Sequence, residues 1–357
     1  MEIQKLNKEI RTKTFEKMKK KSPKQLTTSW YQDDLLYAGT GKTIFIIIPT
    51  IGCSWALGDS GGCTMCSYIS DSHFKPLDTV EIFELFVGEF EKYELTENTC
   101  VKIFVSGSFL NPIEVPIITR YKILKYLSKK KHVKEIVVES RPEYITKNVL
   151  KDVFSCLGDK LFELSIGLET SNDFTREEKI NKGFSKEDFE KSVETIRSLK
   201  NSYNIKSKAY ILVKPILTNE NEAIEEAIET AKYCERVGVD RVSFTPITIH
   251  KGTLLEQLWK KGSYHPPWIW SAIEIINETR KNVSIPSFMD TSGFGSRRGP
   301  YNCKKCNKIL KNAIIESNIK QSLIEGINCE CRLHWIGDKK SSSLNRSKTT
   351  IKHLPLI

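Results

Sequence analysis

Residues 43–68 read TIFIIIPTIGCSWALGDSGGCTMCSY, a run of β-branched and apolar residues that passes directly into a glycine-rich loop with three cysteines. The run is short and almost continuously apolar, which predicts a strand buried on both faces, as in a parallel sheet. Cys53, Cys63 and Cys66 follow it with the spacing C-x9-C-x2-C. The predictions of fold and of chemistry both start from this stretch.

Similar apolar runs recur along the chain, and stretches with helical periodicity separate them. The six predicted strands are 42–50, 102–106, 135–140, 163–168, 208–213 and 241–246. The predicted helices between them are 79–93, 116–130, 146–157, 186–201 and 220–237. This alternation predicts an α/β fold with a parallel sheet and right-handed crossovers. Six units favour a partial (β/α)6 barrel, in which functional residues lie at the carboxyl ends of the strands.

The length and composition bound the organisation of the chain. Its 357 residues, 39% of them apolar, are enough for a large core and too many for one small domain. We expect a basic N-terminal extension (1–40), a core barrel (41–250), a C-terminal extension with a metal site (251–335) and a basic tail (336–357). The sequence lacks an apolar run near the ~20 residues that span a bilayer and lacks a signal-peptide core. It therefore predicts a cytoplasmic protein without membrane contact, in which clustered cysteines indicate metal binding or catalysis.

The charge balance favours a polyanionic partner. The formal net charge is +11 and the isoelectric point is near 9.0, which is typical of nucleic-acid binding, although a lysine-rich composition gives the same excess. The N-terminal stretch is predicted to be a basic helical arm, either docked on a partner or only solvated. The basic residues that we expect to follow an RNA backbone are those of 17–24, Arg297, Arg298, Lys304, Lys305, Lys339 and Lys340.

The three cysteines of the loop suit an iron–sulfur cluster. Three thiolates can hold three irons of a [4Fe–4S] cube, which leaves the fourth iron open for a small ligand. The surrounding glycines let the backbone pass close to such a cluster. A zinc site completed by His73 is the alternative.

Polar residues also follow the next three predicted strands. The second strand ends in Ser106-Gly107-Ser108, which is either a ligand-binding turn or an ordinary Gly/Ser turn. The third ends in Glu139-Ser140-Arg141, whose two charges either meet a ligand or form a surface ion pair. The fourth ends in Glu169.

Four further cysteines lie near the C-terminus, as Cys303-x2-Cys306 and Cys329-x-Cys331. Paired cysteines of this kind predict a structural zinc knuckle. An auxiliary Fe–S cluster and unligated thiols are the alternatives. Cys100, Cys156 and Cys234 are isolated in apolar stretches, which predicts that they are small core residues.

The cysteine loop after the first strand resembles that of the radical S-adenosylmethionine (SAM) superfamily, whose fold is a partial (β/α)6 barrel. The chain departs from the common C-x3-C-x2-C pattern in its nine-residue first gap and in Met65, which stands where an aromatic residue is usual. Longer first gaps occur in tRNA-modifying branches. The resemblance implies that Cys53, Cys63 and Cys66 hold a [4Fe–4S] cluster, that SAM binds its open iron, and that an electron donor drives cleavage of SAM to a 5′-deoxyadenosyl radical.

The resemblance also implies cofactor contacts at the strand ends. The segment 106–108 stands where the superfamily holds the methionine amino group of SAM. The segment 139–143 resembles the Glu-Thr-Arg-Pro run of radical SAM tRNA enzymes such as the Elongator catalytic subunit. The residues implied to bind the cofactor are Ser106, Gly107, Ser108, Glu139, Arg141 and Glu169.

One narrow branch matches the motifs best, the archaeal radical SAM enzymes that complete archaeosine in tRNA. The resemblance covers about residues 40–335 and includes the four-cysteine tail. It implies cleavage of the lysine C–N bond in the lysine adduct of 7-cyano-7-deazaguanine in the tRNA D-arm, and a partner subunit that transfers the lysine. The alternatives are methylthiolation or Elongator-like chemistry on tRNA, and an Fe–S or zinc RNA-binding protein without SAM chemistry. No cysteine precedes Cys53 to support methylthiolation.

Overall fold

The computed structural model describes residues 2–18 and 21–344. The strands, in chain order, are β1 (Thr28–Leu36), β2 (Gly39–Ile47), β3 (Thr99–Phe104), β4 (Val133–Glu139), β5 (Leu161–Glu169), β6 (Ile205–Val213), β7 (Arg241–Pro246) and β8 (Ser287–Met289). The helices are α1 (Glu2–Lys17), α2 (Pro23–Leu26), α3 (Ser54–Leu57), α4 (Thr79–Phe90), α5 (Ile117–Ser128), α6 (Lys147–Leu157), α7 (Lys186–Leu199), α8 (Glu220–Val237), α9 (Leu254–Lys260), α10 (Ile269–Asn282), α11 (Asn307–Lys320) and α12 (Cys331–Leu344).

The described strands form one sheet in the order β1 to β8. β1 is antiparallel to β2, and every later pair is parallel. The predicted α/β partial barrel is confirmed, since β2 to β7 are the six predicted strands and a helix follows each of them. In the described residues β1 and β8 do not pair with each other, so the sheet stays open along one side.

Local sequence signals set both ends of α8, whose observed range is the predicted one, 220–237. α8 begins with a capping box, in which the Asn219 side chain accepts from the Glu222 N–H and the Glu222 side chain accepts in return. It ends at Gly238, whose φ of +89° suits a residue without Cβ. Because α8 lays Ala227, Ala231 and its other apolar residues on the sheet, it covers β6 and β7.

The amino-terminal end of the barrel is filled by paired charges. Lys208 Nζ lies 2.6 Å from Glu163 Oε1, and both residues are buried. The Arg241 guanidinium carbon lies 3.4 Å from the centre of the Tyr37 ring, and Arg241 Nη1 donates to the Leu35 carbonyl at 3.2 Å. This contact joins the start of β7 to the end of β1. The barrel is therefore closed at this end and opens at the carboxyl ends of its strands.

In the segment 1–40, predicted as a basic extension, the described residues pack on the rest of the chain. Its residues 28–36 form the edge strand β1, and α1 buries Ile3 and Ile10 against an apolar cluster that includes Ile249 and Leu255. Lys21 pairs with Asp71 at 2.9 Å. Lys19 and Lys20, which were included in the predicted RNA-binding arm, lie outside the described residues.

The C-terminal part adds α10, α11 and α12 around the last strand. The first part of the predicted basic tail (336–357) is helical as far as Leu344, because α12 continues through it. Lys339 on α12 contacts both carboxylate oxygens of Glu274, at 2.6 and 2.7 Å. Residues 345–357 lie outside the described part of the chain. Cys100, Cys156 and Cys234 are buried core residues, as predicted.

Candidate active site

The cysteine loop leaves the carboxyl end of β2 and is folded by its glycines. Gly52 has a φ of +104°, and Gly61 and Gly62 have φ values of +66° and +79°, all in the region that favours glycine. A Cβ on Gly61 would overlap the backbone of Lys8 on α1, and one on Gly62 would lie 2.8 Å from Ala56 Cβ. The loop is therefore packed between α1 and α3, and a side chain at either position would displace it.

The loop brings Cys53, Cys63 and Cys66 together in a half-buried cluster of thiols. Burial raises the pKa of the Cys53 thiol to about 12, and the nearby Glu114 carboxylate raises it further. Burial also raises the pKa of the Cys63 thiol, while the adjacent Lys182 ammonium lowers it. Without a cation the thiols of Cys53 and Cys63 therefore favour the protonated form, and a positively charged metal group bound to them would favour the thiolate instead.

The spacing of these sulfurs does not favour a single ion. In the described part of the chain, only the four C-terminal cysteines bring three or more Cys, His or carboxylate ligand atoms within 4.8 Å of one another. His73 instead has its Nδ1 3.3 Å from the Lys75 carbonyl. A single zinc ion at Cys53, Cys63 and Cys66 is thus not supported. In a [4Fe–4S] cube each cysteine sulfur binds a different iron, so the sulfurs need not lie as close together.

The end of β3 lies directly against the cysteine loop. Ser106 Oγ donates to the Tyr68 carbonyl at 3.0 Å, and Ser108 Oγ accepts from the Arg141 N–H at 3.1 Å. A Cβ on Gly107 would overlap the Glu114 carboxylate and lie 2.9 Å from Cys53 Cα. The two hydroxyls thus hold neighbouring backbone, and glycine is required where the strand end meets the loop.

Arg141 joins the end of β4 to the segment after β5. Its Nε lies 2.5 Å from Glu143 Oε1, and its Nη1 and Nη2 donate to the carbonyls of Lys182 and Gly183 at 2.9 and 3.2 Å. Its guanidinium carbon lies 5.2 Å from the centre of the Trp55 ring in the cysteine loop. These contacts use three of its five N–H donors, so the side chain is fixed while two donors stay available.

Two carboxylates lie at the ends of β4 and β5. Glu169 pairs with Lys182 at 2.7 Å, and both side chains are close to 10% exposed. Burial raises the pKa of the Glu139 carboxyl to about 7, although a hydrogen bond from Tyr210 and the charges of Lys208 and Lys182 lower it. The predicted strand-end residues therefore meet around one opening, beside the cysteine loop.

Glu114 is a site residue that the sequence analysis missed. It is 1% exposed and accepts from the Ser54 N–H at 2.7 Å, from the Asn111 amide at 2.9 Å and from the Ser108 N–H. It therefore ties the residue after Cys53 to the end of β3. The available signal was a single acidic residue in the apolar stretch 109–118.

Helix α1 also contributes to the site. Arg11 is 5% exposed, and its Nη2 and Nε donate to the carbonyls of Cys66 and Gly61 at 2.9 and 3.3 Å. Asn7 Nδ2 donates to the Gly62 carbonyl at 2.9 Å. A helix dominated by Lys and Glu gave no sign of this contact in the sequence.

The four C-terminal cysteines form a separate, tighter group. Their Sγ atoms lie 3.4 Å apart for Cys303 and Cys306, 3.6 Å for Cys303 and Cys329, and 3.5 Å for Cys306 and Cys331. All four lie within 4.8 Å of one another. Trp270 Nε1 donates to Cys331 Sγ at 3.3 Å. The predicted four-cysteine metal-binding group is thus assembled.

The basic residues predicted to contact RNA differ in how they are engaged. Arg298 is half-buried and already paired within the chain, with Nη2 2.9 Å from Glu256 and Nη1 donating to the Ile249 carbonyl. Arg297 and Lys304 are exposed, and Lys305 forms an exposed pair with Glu330 at 3.7 Å. The exposed cations beside the cysteine group remain available to a polyanion.

Two solved structures overlap part of the chain. The Elp3 protein of Methanocaldococcus infernus matches with a TM-score of 0.49 and 15% identity, covering 68% of this chain and 59% of that one. Methylornithine synthase matches with a TM-score of 0.45 and 14% identity, covering 69% of this chain and 63% of that one.

In the described residues no helix is both long and apolar enough to cross a membrane.

The chain has relatives along nearly its whole length, although no family model matches it. An uncharacterized protein of Methanocaldococcus jannaschii is 39% identical over 338 residues, covering 92% of this chain and 90% of its own. Archaeosine synthase subunit beta of Methanosarcina acetivorans is 36% identical over 326 residues, covering 89% and 91%. That of Thermococcus kodakarensis is 39% identical over 315 residues, covering 86% and 95%. The chain belongs to the family of archaeosine synthase subunit beta.

Proposed function

We propose that this chain is a radical SAM enzyme acting on tRNA, with a [4Fe–4S] cluster on Cys53, Cys63 and Cys66 and SAM beside it. The observation that carries the proposal is the placement of three half-buried thiols at the open end of a parallel barrel, next to Glu139, Glu169 and Lys182. The relatives named archaeosine synthase subunit beta support the same function.

The residues present fit such a cluster. The glycine turns leave room for it, and the raised pKa of the Cys53 and Cys63 thiols would be offset by its irons. When bound, the cluster and SAM supply a 5′-deoxyadenosyl radical that removes a hydrogen atom from the substrate. The closed amino-terminal end of the barrel limits the access of water to the site from that end.

We assign the SAM contacts to the strand ends around the loop. Ser106, Gly107 and Ser108 offer close backbone approach, and the two spare N–H donors of Arg141 suit the SAM carboxylate. The carboxylates of Glu139 and Glu169 suit the amino group or the ribose hydroxyls.

The proposed reaction is cleavage of the lysine C–N bond in the lysine adduct of 7-cyano-7-deazaguanine in the tRNA D-arm, which leaves archaeosine. With this reaction the chain would be a lyase, and it would need an electron donor. We propose that it works in the cytoplasm, together with a subunit that transfers the lysine. The name "subunit beta" of the relatives supports a second subunit.

We assign zinc to the four-cysteine group. Tetrahedral zinc with Zn–S bonds of about 2.3 Å places its sulfurs roughly 3.8 Å apart. The observed separations of 3.4 to 3.6 Å match this spacing for one ion. Metal analysis after anaerobic purification should give about one zinc per chain, lost when Cys303 and Cys306 are both changed to Ala. Iron lost in its place would instead indicate an auxiliary cluster.

The function is tested by anaerobic reconstitution with iron, sulfide and SAM, with tRNA carrying the lysine adduct as substrate. Wild type should release 5′-deoxyadenosine and form archaeosine, detected by nucleoside mass spectrometry. Any one of Cys53→Ala, Cys63→Ala or Cys66→Ala should abolish both, whereas Cys156→Ala, at a core cysteine of α6, should retain them. Deoxyadenosine release at the wild-type level from a Cys53→Ala protein would overturn the cluster assignment.

A further inference from the structure

A row of aromatic rings lies at the open edge of the barrel. Trp30 on β1 stacks on Phe45 of β2, with ring centroids 4.7 Å apart and planes 6° apart. Phe45 stacks in turn on Phe104 of β3, with centroids 5.9 Å apart. Trp30 keeps 39% exposure, whereas Phe45 is 8% exposed. The row therefore ends in an aromatic surface that is open to solvent.

Trp30 faces the interior of the barrel. Side chains alternate along a strand. On the outer side, Ser29 donates to Glu89 of α4, and Tyr31 stacks on Tyr93, which lies just after α4. Asp34, four residues after Trp30, lies on the same face of β1, and it pairs with Lys102 of β3 at 2.6 Å. The indole thus projects toward the same concave face as the strand-end residues of the site.

The position of Trp30 along the strand also places it near the open end of the barrel. It is paired with Phe45, two residues before β2 ends at Ile47. At about 3.3 Å per residue this is roughly 7 Å below the end of the strand that leads into the cysteine loop. Among the described residues no strand pairs with the other side of β1, although α11 contacts this strand. Because Trp30 is 39% exposed, a planar group can approach its indole ring.

We propose that Trp30 is the platform on which the target nucleobase stacks in the barrel. This inference rests on the proposed function, since it takes tRNA as the substrate. A base taken out of its helix loses stacking energy, and an exposed indole restores part of it. Gln32, the next residue on the same face, is exposed and carries a donor and an acceptor that suit the edge of a base.

The test compares two variants of Trp30, one that keeps an aromatic ring and one that keeps only an apolar side chain. Trp30→Phe keeps a planar ring, whereas Trp30→Leu covers Phe45 without one. With tRNA carrying the lysine adduct, Trp30→Leu should lower kcat/KM about 10-fold or more, while Trp30→Phe stays near wild type. SAM cleavage without tRNA should be unchanged in both. Tyr121→Ala, which removes an exposed aromatic ring of α5, is the control and should behave as wild type.

A second measurement does not depend on the loaded enzyme. Tryptophan fluorescence of the cluster-free protein is titrated with a D-arm RNA hairpin carrying the lysine adduct, and Trp30→Phe should lose most of the quenching. Equal quenching in the two proteins, or equal kcat/KM for Trp30→Leu and wild type, would overturn the inference. If wild type forms no archaeosine but the Trp30-dependent quenching persists, the proposed reaction fails while the base platform stands.

Discussion

At the scale of single residues, Glu114 joins three parts of the site through one buried carboxylate. Changing it to Ala leaves the N–H groups of Ser54 and Ser108 without their acceptor, and each buried unsatisfied group costs about 1–3 kcal/mol. We expect Glu114→Ala to lower the free energy of unfolding by about 2–4 kcal/mol and to reduce the iron bound after reconstitution. Urea unfolding and iron analysis check this, with the exposed Glu84→Ala of α4 as control. Full iron content in Glu114→Ala would show that the carboxylate is not needed to hold the loop.

Glu139 gives a pH dependence whose sign follows from its environment. Burial raises the pKa of its carboxyl from the usual 4.5 to about 7, so the folded state holds the proton more tightly than the unfolded state. The stability contributed by the protonated group is therefore present below pH 4.5 and is lost as the pH rises toward 7. Glu139→Gln should flatten the fall in unfolding free energy between these values, measured by urea unfolding at several pH values. The charged or titratable groups that act on the carboxyl are Tyr210, Lys208, Lys182 and Glu169. An unchanged pH profile would contradict the assignment.

At the scale of elements, α1 acts as a strap across the cysteine loop. Hydrogen bonds from charged donors contribute about 1.5–3 kcal/mol each, and Arg11 makes two of them to the loop carbonyls. Arg11→Ala should therefore destabilise the loop, reduce the iron retained after reconstitution and speed proteolytic cleavage within residues 53–66. Lys13→Ala, at an exposed position of the same helix, is the matched control. Wild-type iron content together with wild-type protease resistance in Arg11→Ala would remove α1 from the site.

The same elements show what the sequence could reveal. β2 to β7 were predictable because each is an apolar run buried on both faces, and so were the helices between them. β1 was missed because its residues TSWYQDDLL are largely polar along an edge, and β8 because it has three residues. The cysteine loop was predictable from its spacing alone. Arg11, Glu114 and Trp30 were not. The contacts with Cys66, Ser54 and Phe45 that place them in the site span 15 to 60 residues of sequence and form only in the folded chain.

At the scale of the whole molecule, the exposed cations beside the four-cysteine group make a testable RNA footprint. Each neutralised phosphate contributes a slope of about −0.7 to −0.9 to a plot of log affinity against log salt. Changing Lys304 and Lys305 to Gln should therefore flatten the tRNA binding slope by about 1.4 to 1.8. Lys147→Gln with Lys151→Gln on α6 changes the net charge equally and is the control. Overlapping salt curves for wild type and the Lys304/Lys305 variant would place the footprint elsewhere.

The closed amino-terminal end of the barrel has a consequence for the order of events. Because Arg241, Tyr37, Lys208 and Glu163 fill that end, the routes into the barrel are the carboxyl ends of the strands and the open side next to β1. A macromolecule that covers the carboxyl ends while its base stacks on Trp30 would occupy both routes. A small cofactor that sits against the cysteine loop must then bind before that macromolecule, and the products of its cleavage must wait until the macromolecule leaves. For the proposed function this means a compulsory binding order. The small molecule binds first, and the RNA must leave before a second small molecule can bind.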